Sequence, residues 1–68
     1  MRAFAFTQDY STNQLIIGND VTETLGICLG DEPHVCYEGF GRGYVIANDL
    51  EQAEEEADIF YLTHFQHL

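Results

Sequence analysis

Residues 48–68 read NDLEQAEEEADIFYLTHFQHL, and this segment predicts the longest element of the chain. Either Asn48 with Glu51 or Asp49 with Gln52 forms a capping box, a pattern that begins many helices. Neither glycine nor proline interrupts the segment. Apolar side chains and one histidine then return at helical spacing and form a single stripe, which consists of Leu50, Ala53, Ala57, Phe60, Tyr61, His64, Phe65 and Leu68. The spacing predicts one long amphipathic C-terminal helix.

Short strands are predicted before this helix. Residues 2–8 alternate small side chains with Phe4 and Phe6, and this period of two predicts a half-buried strand. A turn-rich stretch at 9–13 and an apolar run at 14–17 complete a β-hairpin. Further short strands are predicted at 27–29, 34–37 and 44–47, separated by a turn at 30–33 and a glycine-rich turn at 39–43.

The segment at residues 20–25 fits two structures. Asp20 and Glu23 match a capping box, and Gly26 is placed to end a short helix. The β-branched valine and threonines of the same segment lower its helix propensity. The sequence therefore leaves open a helix of one or two turns and a further strand.

Together these elements predict a single α+β domain over residues 1–68. A small antiparallel sheet of about four or five short strands forms first, and the long amphipathic helix packs across one of its faces. With 68 residues, the chain has no room for a second domain or a deep catalytic cleft. We expect a monomer, and a dimer built through the edge of the sheet stays open. The strand order does not follow from the sequence.

The charge of the chain is strongly unbalanced. Twelve acidic residues stand against Arg2 and Arg42, which gives a formal net charge of -10. Such a field repels nucleic acids and anionic membranes, because phosphate binding relies on lysine and arginine. It favours a protein partner with a basic surface. The alternative is an acidic protein whose charges serve only to keep it well solvated.

The location of the protein is predicted from what the sequence lacks. The first residues show no signal-peptide pattern, and no apolar run approaches the roughly 20 residues that a membrane-spanning helix needs. The chain has two cysteines, Cys28 and Cys36, too few for a disulfide framework. We therefore expect a cytoplasmic protein with reduced thiols.

The predicted helix carries the candidate partner-binding surface. Four carboxylates cluster on one flank of its apolar stripe, at the spacing of surface neighbours, and Ile59 and Leu62 project near the same flank. Acids rimming a small apolar patch suit a basic protein surface. The alternative is a solvated helix face, with Ile59 and Leu62 covered by a strand or loop. Further acids in the turns spread the negative potential. The predicted partner-binding residues are Glu51, Glu54, Glu55, Asp58, Ile59, Leu62, Asp31, Glu32 and Glu38.

Metal binding and catalysis find little support in the sequence. The soft ligands available are Cys28, Cys36, His34, His64 and His67, without a Cys-x-x-Cys pair or another characteristic zinc spacing. The glycines at positions 39, 41 and 43 lack the phosphate-binding fingerprint and predict a hairpin turn, whose tip presents Phe40 and Arg42 for contacts. We expect no metal, no cofactor and no enzymatic activity.

In length, charge and layout the whole chain resembles the small acidic anti-CRISPR proteins that phages encode, particularly those acting on type I effector complexes. The resemblance is carried by a strand-rich acidic body and by the acidic helix start between Asp49 and Asp58, without a diagnostic motif. It implies an inhibitor that docks on a basic, DNA-binding surface of the effector, often the one that reads the protospacer-adjacent motif. Mimicry of DNA is one way in which such an inhibitor works.

Two other classes remain open. One is an antitoxin-like or regulatory module that neutralises a basic protein partner. The other is an anti-restriction DNA mimic, which would compete with duplex DNA and lose affinity steeply as salt rises.

Overall fold

The computed structural model describes residues 1–26 and 29–65. Within these two ranges, four strands and two helices follow one another. They are β1 (Arg2–Gln8), β2 (Leu15–Asp20), α1 (Thr22–Leu25), β3 (His34–Gly39), β4 (Arg42–Ala47) and α2 (Leu50–His64). The predicted α+β class, with a small antiparallel sheet and a long C-terminal helix, is confirmed.

The four strands form one antiparallel sheet in the order β2-β1-β4-β3. The central pair is β1 with β4, and its register runs from Arg2 opposite Ala47 to Thr7 opposite Arg42. Since β2 and β3 lie at opposite edges, the connection between them has to pass both central strands. The short helix α1 lies at the start of this connection and contacts β1.

Local hydrogen bonds explain where α2 begins. The Asp49 carboxylate accepts a hydrogen bond from the backbone N–H of Gln52 at 2.8 Å. The Gln52 side chain in turn accepts one from the backbone N–H of Asn48 at 2.7 Å. Of the two predicted capping boxes, the pair Asp49 and Gln52 is therefore the one that caps the helix.

The core lies between α2 and one face of the sheet. Alternation along the central strands directs Phe4, Phe6 and Val45 to the helix side, where they pack with Ala53 and Ala57. Because alanine is small, the helix backbone can approach the sheet closely. The buried core residues on this side are Phe4, Phe6, Val45, Ala47, Ala53 and Ala57, and the partly buried Leu15, Ile17 and Val35 pack against them.

The buried side of α2 is narrower than the predicted stripe. Only Ala53 and Ala57 are buried in α2, whereas Leu50 is 49% exposed and His64 is also exposed. Leu50 comes directly after the cap, where the helix has just begun. Three further members, Phe60, Tyr61 and Phe65, are half-buried. The last predicted member, Leu68, lies outside the described residues.

An aromatic cluster secures the C-terminal end of α2. The ring of Tyr37 on β3 stacks on Phe60 with 5.9 Å between ring centroids, and Phe65 lies 6.2 Å from Tyr37. The Tyr37 hydroxyl donates a hydrogen bond to the side-chain oxygen of buried Gln8 at 2.7 Å. The cluster thus ties the end of the helix to an edge strand and to β1.

The ambiguous segment forms a short helix. α1 runs over Thr22–Leu25 and ends at Gly26, whose φ of 61° is the left-handed conformation common after helices. Asp20 is the last residue of β2, and the N-cap is Val21 without a side-chain hydrogen bond. The predicted capping role of Asp20 is therefore wrong, although its carboxylate accepts hydrogen bonds from the backbone N–H and hydroxyl of Thr22.

The strand and turn boundaries also differ from the prediction. Residues 27 and 28 of the predicted strand at 27–29 lie outside the described residues, and Leu29 is not in a strand. The glycine-rich segment is a hairpin turn as predicted, but the turn consists only of Phe40 and Gly41, because β3 continues to Gly39 and β4 begins at Arg42.

Candidate interaction surface

The four α2 carboxylates of the predicted site are exposed to solvent. Glu51, Glu54, Glu55 and Asp58 are all exposed. At 100° per residue, positions 51 and 55 fall on the side of the helix opposite the buried alanines, and position 58 is turned toward one flank. Positions 51 and 58 are about 10 Å apart along the axis. In the described part of the chain the one salt bridge joins Arg2 to Asp20. Within that part, the α2 carboxylates therefore have no basic partner.

The four acids divide between two directions. Glu54 and Asp58 lie beside β2, where they line a cavity of about 380 Å³ together with Leu15, Ile16 and Ile17. Glu51 and Glu55 instead follow the outer crest of the helix. The acidic flank predicted from the sequence is thus a band that extends from the crest down to one edge of the sheet.

The two apolar residues of the predicted site are both accessible but have different surroundings. Ile59 and Leu62 are each 57% exposed, so neither is covered by a strand or loop of the described chain. Leu62 adjoins Gln14, Asp58 and Tyr61 near β2. Ile59 faces the other edge strand and lines a shallow groove of about 300 Å³, called here the β3–α2 groove, whose lining residues are Pro33, His34, Val35, Glu56, Ile59, Phe60, Thr63 and His64.

The predicted turn acids lie at the two ends of β3. Asp31 and Glu32 are exposed and come directly before Pro33, the first lining residue of the β3–α2 groove. Glu38 is exposed near the other end of the strand and borders a cavity with Arg42. The structure thus brings Asp31 and Glu32 near the groove that Ile59 lines, and it places Leu62 on the other flank of α2.

Local hydrogen bonds lower the pKa values of Asp20 and Asp9. Hydrogen bonds from Arg2 and then from Thr22 hold the pKa of Asp20 far below its ordinary value. Hydrogen bonds from Ser11 lower the pKa of Asp9. Both carboxylates are therefore stabilised in their charged form by local structural contacts.

The thiol of Cys36 and the metal-ligating side chains are the remaining candidates for chemistry in the described residues. Burial, followed by the charge of Glu38, raises the pKa of the Cys36 thiol, so this thiol is protonated at neutral pH. Within residues 1–26 and 29–65 there is no group of three or more His, Cys, Asp or Glu that could hold a metal ion. Cys28 and His67 lie outside these residues. Over the same ranges, no helix has the length and apolar character required to cross a membrane.

Two exposed aromatic residues lie at the hairpin turns, and the sequence indicated only one of them. Phe40 is 93% exposed in a left-handed backbone conformation, with φ of 55°, and Tyr10 is 72% exposed. The backbone N–H of Gln8 donates to the carbonyl of Gly41 at 2.7 Å, which brings the two hairpin turns together. The glycine pattern marked the turn at Phe40. Tyr10 was missed, because its position beside Gly41 of the β3–β4 turn depends on the pairing of β1 with β4.

Comparison with known protein families, with curated proteins and with solved structures finds no match to this chain.

Proposed function

We propose that this protein is an acidic inhibitor that docks on a basic, DNA-binding surface of another protein and blocks it. The observation that carries the proposal is the set of exposed α2 carboxylates that have no basic partner in the described part of the chain. The resemblance to small anti-CRISPR proteins makes a type I CRISPR effector the first target to test, at the surface that reads the protospacer-adjacent motif. The protein acts in the bacterial cytoplasm, as a monomer, without catalysis and without a cofactor.

The density of charge supports mimicry of a nucleic acid strand. All acidic and arginine residues lie within the described ranges, and the long axis of the molecule measures 36 Å. A net charge of -10 over 36 Å averages one negative charge per 3.6 Å. A single DNA strand carries one charge per about 3.4 Å, and a duplex one per about 1.7 Å. A surface built for a DNA backbone would therefore attract this protein at long range.

The apolar side chains among the acids support a specific contact in addition to long-range attraction. Ile59 and Leu62 are more than half exposed on the helix that carries these acids. Burying them against a partner would add favourable free energy that salt does not screen. We therefore expect salt to weaken binding without abolishing it.

The proposal is tested by competition for DNA. A purified type I effector is mixed with its target duplex, and increasing amounts of this protein are added at low and then moderate salt. We expect loss of the DNA-bound band in a mobility-shift gel. Glu55→Lys should weaken the competition markedly. Glu23→Lys in α1 changes the net charge equally at another exposed glutamate and should weaken it much less.

A DNA-bound band that persists at every protein concentration would exclude this effector as the target. Equal effects of Glu55→Lys and Glu23→Lys would show that net charge, and not the surface of α2, governs the interaction. If the protein instead blocks DNA binding by a restriction enzyme, the anti-restriction class replaces the anti-CRISPR class. Capture of a basic toxin with a blocked active site would favour the antitoxin-like class.

A further inference from the structure

The outer side of β3 is an open sheet edge within the described chain. β3 pairs with β4 on one side only and closes the strand order β2-β1-β4-β3. Along such an edge, alternate residues direct a backbone N–H and C=O outward. The pairing with β4 is regular from His34 to Tyr37 and shifts between Tyr37 and Gly39. Four consecutive residues of β3 therefore offer a regular edge to an incoming strand.

The β3–α2 groove runs alongside this edge and has an apolar lining. Val35 is half-buried and packs against the core, and Phe60 is half-buried in the aromatic cluster. Ile59 leaves 57% of its surface exposed on the helix side of the groove. A strand added to β3 would direct every second side chain toward this lining, because side chains alternate between the two faces of a sheet.

The charges around the groove select the kind of strand that fits. Glu56 lines the groove, and Asp31 and Glu32 precede it in the chain. Neither arginine lines it: Arg2 pairs with Asp20, and Arg42 borders a cavity with Glu38. A second copy of this chain would bring another net charge of -10 to the edge, so like-charge repulsion opposes pairing between copies. A segment that carries lysine or arginine is attracted.

We propose that the β3 edge and the β3–α2 groove bind an extended, basic segment of a protein partner as a fifth strand, with alternate apolar side chains against Ile59 and Phe60. The inference rests on the proposed function in one respect, since the segment belongs to the basic partner that the acidic surface attracts. It adds the mode of binding, namely strand addition at one edge, and the chemistry of the segment, namely basic and apolar residues in alternation.

The first experiment is a nuclear magnetic resonance titration of the full chain with a capped peptide of alternating valine and lysine, six residues long like β3. We expect the largest shifts at the β3 amides and the Ile59 methyl groups. Replacing the lysines by glutamates should abolish these shifts. Shifts confined to the crest of α2, or equal shifts with the glutamate peptide, would overturn the inference.

Backbone methylation tests the hydrogen bonds of the added strand. Two forms of the peptide carry N-methyl groups on alternate residues, in the two opposite phases. In an added strand only one phase directs its N–H groups to β3, so one form should lose about tenfold or more in affinity. The other form should bind about as well as the unmodified peptide. Equal affinity of the two forms would overturn strand addition.

A matched pair of variants tests the groove itself. Ile59→Lys and Leu62→Lys replace equally exposed residues of the same helix and change the charge equally. Ile59→Lys should weaken the peptide about tenfold or more, because it removes apolar lining and adds a like charge, whereas Leu62→Lys should weaken it far less. Equal weakening by the two variants would place the peptide outside the groove.

The two proposals fail in distinguishable ways. If DNA competition fails while the peptide pairs with β3, the effector target is wrong and strand addition stands for another basic partner. If DNA competition succeeds while the peptide leaves the β3 amides unshifted, strand addition is wrong and the inhibitor function stands.

Discussion

Phe40 occupies a position where folding alone does not favour a phenylalanine. Its φ of 55° and the φ of 69° at Gly41 give both central residues of the hairpin turn positive φ values, the arrangement that favours asparagine followed by glycine. The ring is 93% exposed and so gains little packing within the chain. A strained and exposed aromatic residue of this kind is a candidate for contact with a partner.

Phe40→Asn should stabilise the protein by about 0.5–1 kcal/mol, because asparagine tolerates the left-handed conformation better than phenylalanine. Urea denaturation measures the change in the free energy of unfolding. Phe40→Ala serves as the control, because it removes the ring. Alanine tolerates the left-handed conformation less well than asparagine, so this variant should bring no such gain. Destabilisation by Phe40→Asn would mean that the ring contributes to packing.

At position 43, the neighbouring atoms leave room only for glycine. A β-carbon there would lie 2.9 Å from the ring of Phe6 and would collide with the carbonyl oxygen of Cys36. Gly43→Ala should therefore destabilise the protein by about 1–3 kcal/mol through overpacking. Gly18→Ala is the matched strand control, because its nearest contact would be the carbonyl oxygen of Ala5 at 3.4 Å. Equal denaturation midpoints for the two variants would contradict this account.

Helix features that depend on local hydrogen bonds could be predicted from the sequence, and features that depend on tertiary contacts could not. The capping pair Asp49 and Gln52 could be found because its hydrogen bonds are local. α1 could not be decided locally: the backbone N–H of Ala3 donates to the Thr22 hydroxyl at 2.8 Å, a contact with β1 that spans 19 positions of the chain. Similarly, the period of α2 does not tell which residues the sheet covers, so Leu50 was wrongly included in the buried stripe.

Dependence on long-range contacts also explains which features of the candidate site could not be predicted. Exposure of the α2 acids follows from helical period, and the sequence predicted it. Which edge strand lies on each side of the helix depends on the strand order, which only long-range pairing determines. The separation of Ile59 from Leu62, and the groove beside β3, were therefore beyond the reach of the sequence.

The junction of β1, β2 and α1 should respond to acid through Asp20. Its pKa is lowered in the folded protein, first by Arg2, so its contribution to stability is complete above the unfolded value of about 4 and is lost as pH falls through the folded value. The difference in unfolding free energy between the natural chain and Asp20→Asn should thus be constant from pH 7 to about pH 5 and shrink below about pH 4. Urea denaturation across this range measures it.

Arg2→Gln provides the control for this titration, since it removes the principal cause of the lowered pKa while keeping the Asp20 carboxylate. In that background the effect of Asp20→Asn should be smaller. A difference between the natural chain and Asp20→Asn that persists unchanged well below pH 4 would show that the charge of Asp20 is not its source.

For the whole molecule, the net charge of -10 opposes compactness. Added sodium chloride should screen this repulsion and raise the melting temperature, measured by circular dichroism, from low ionic strength upward. The salt effect should shrink as the pH falls toward the isoelectric point of about 4.2, where the net charge vanishes. A melting temperature that falls as salt rises at neutral pH would mean that attractive pairs such as Arg2 with Asp20 outweigh the repulsion.

The pairing of β1 with β4 sets the order in which the chain can fold during its synthesis. β1 emerges from the ribosome first, yet its central partner lies about 40 residues later, and the alanines that cover both strands come later still. Until then only the hairpin of β1 and β2 can form, and an isolated hairpin is marginally stable in water. Phe4 and Phe6 therefore lack their core partners until α2 has been synthesised, and only then can the nascent chain form its core.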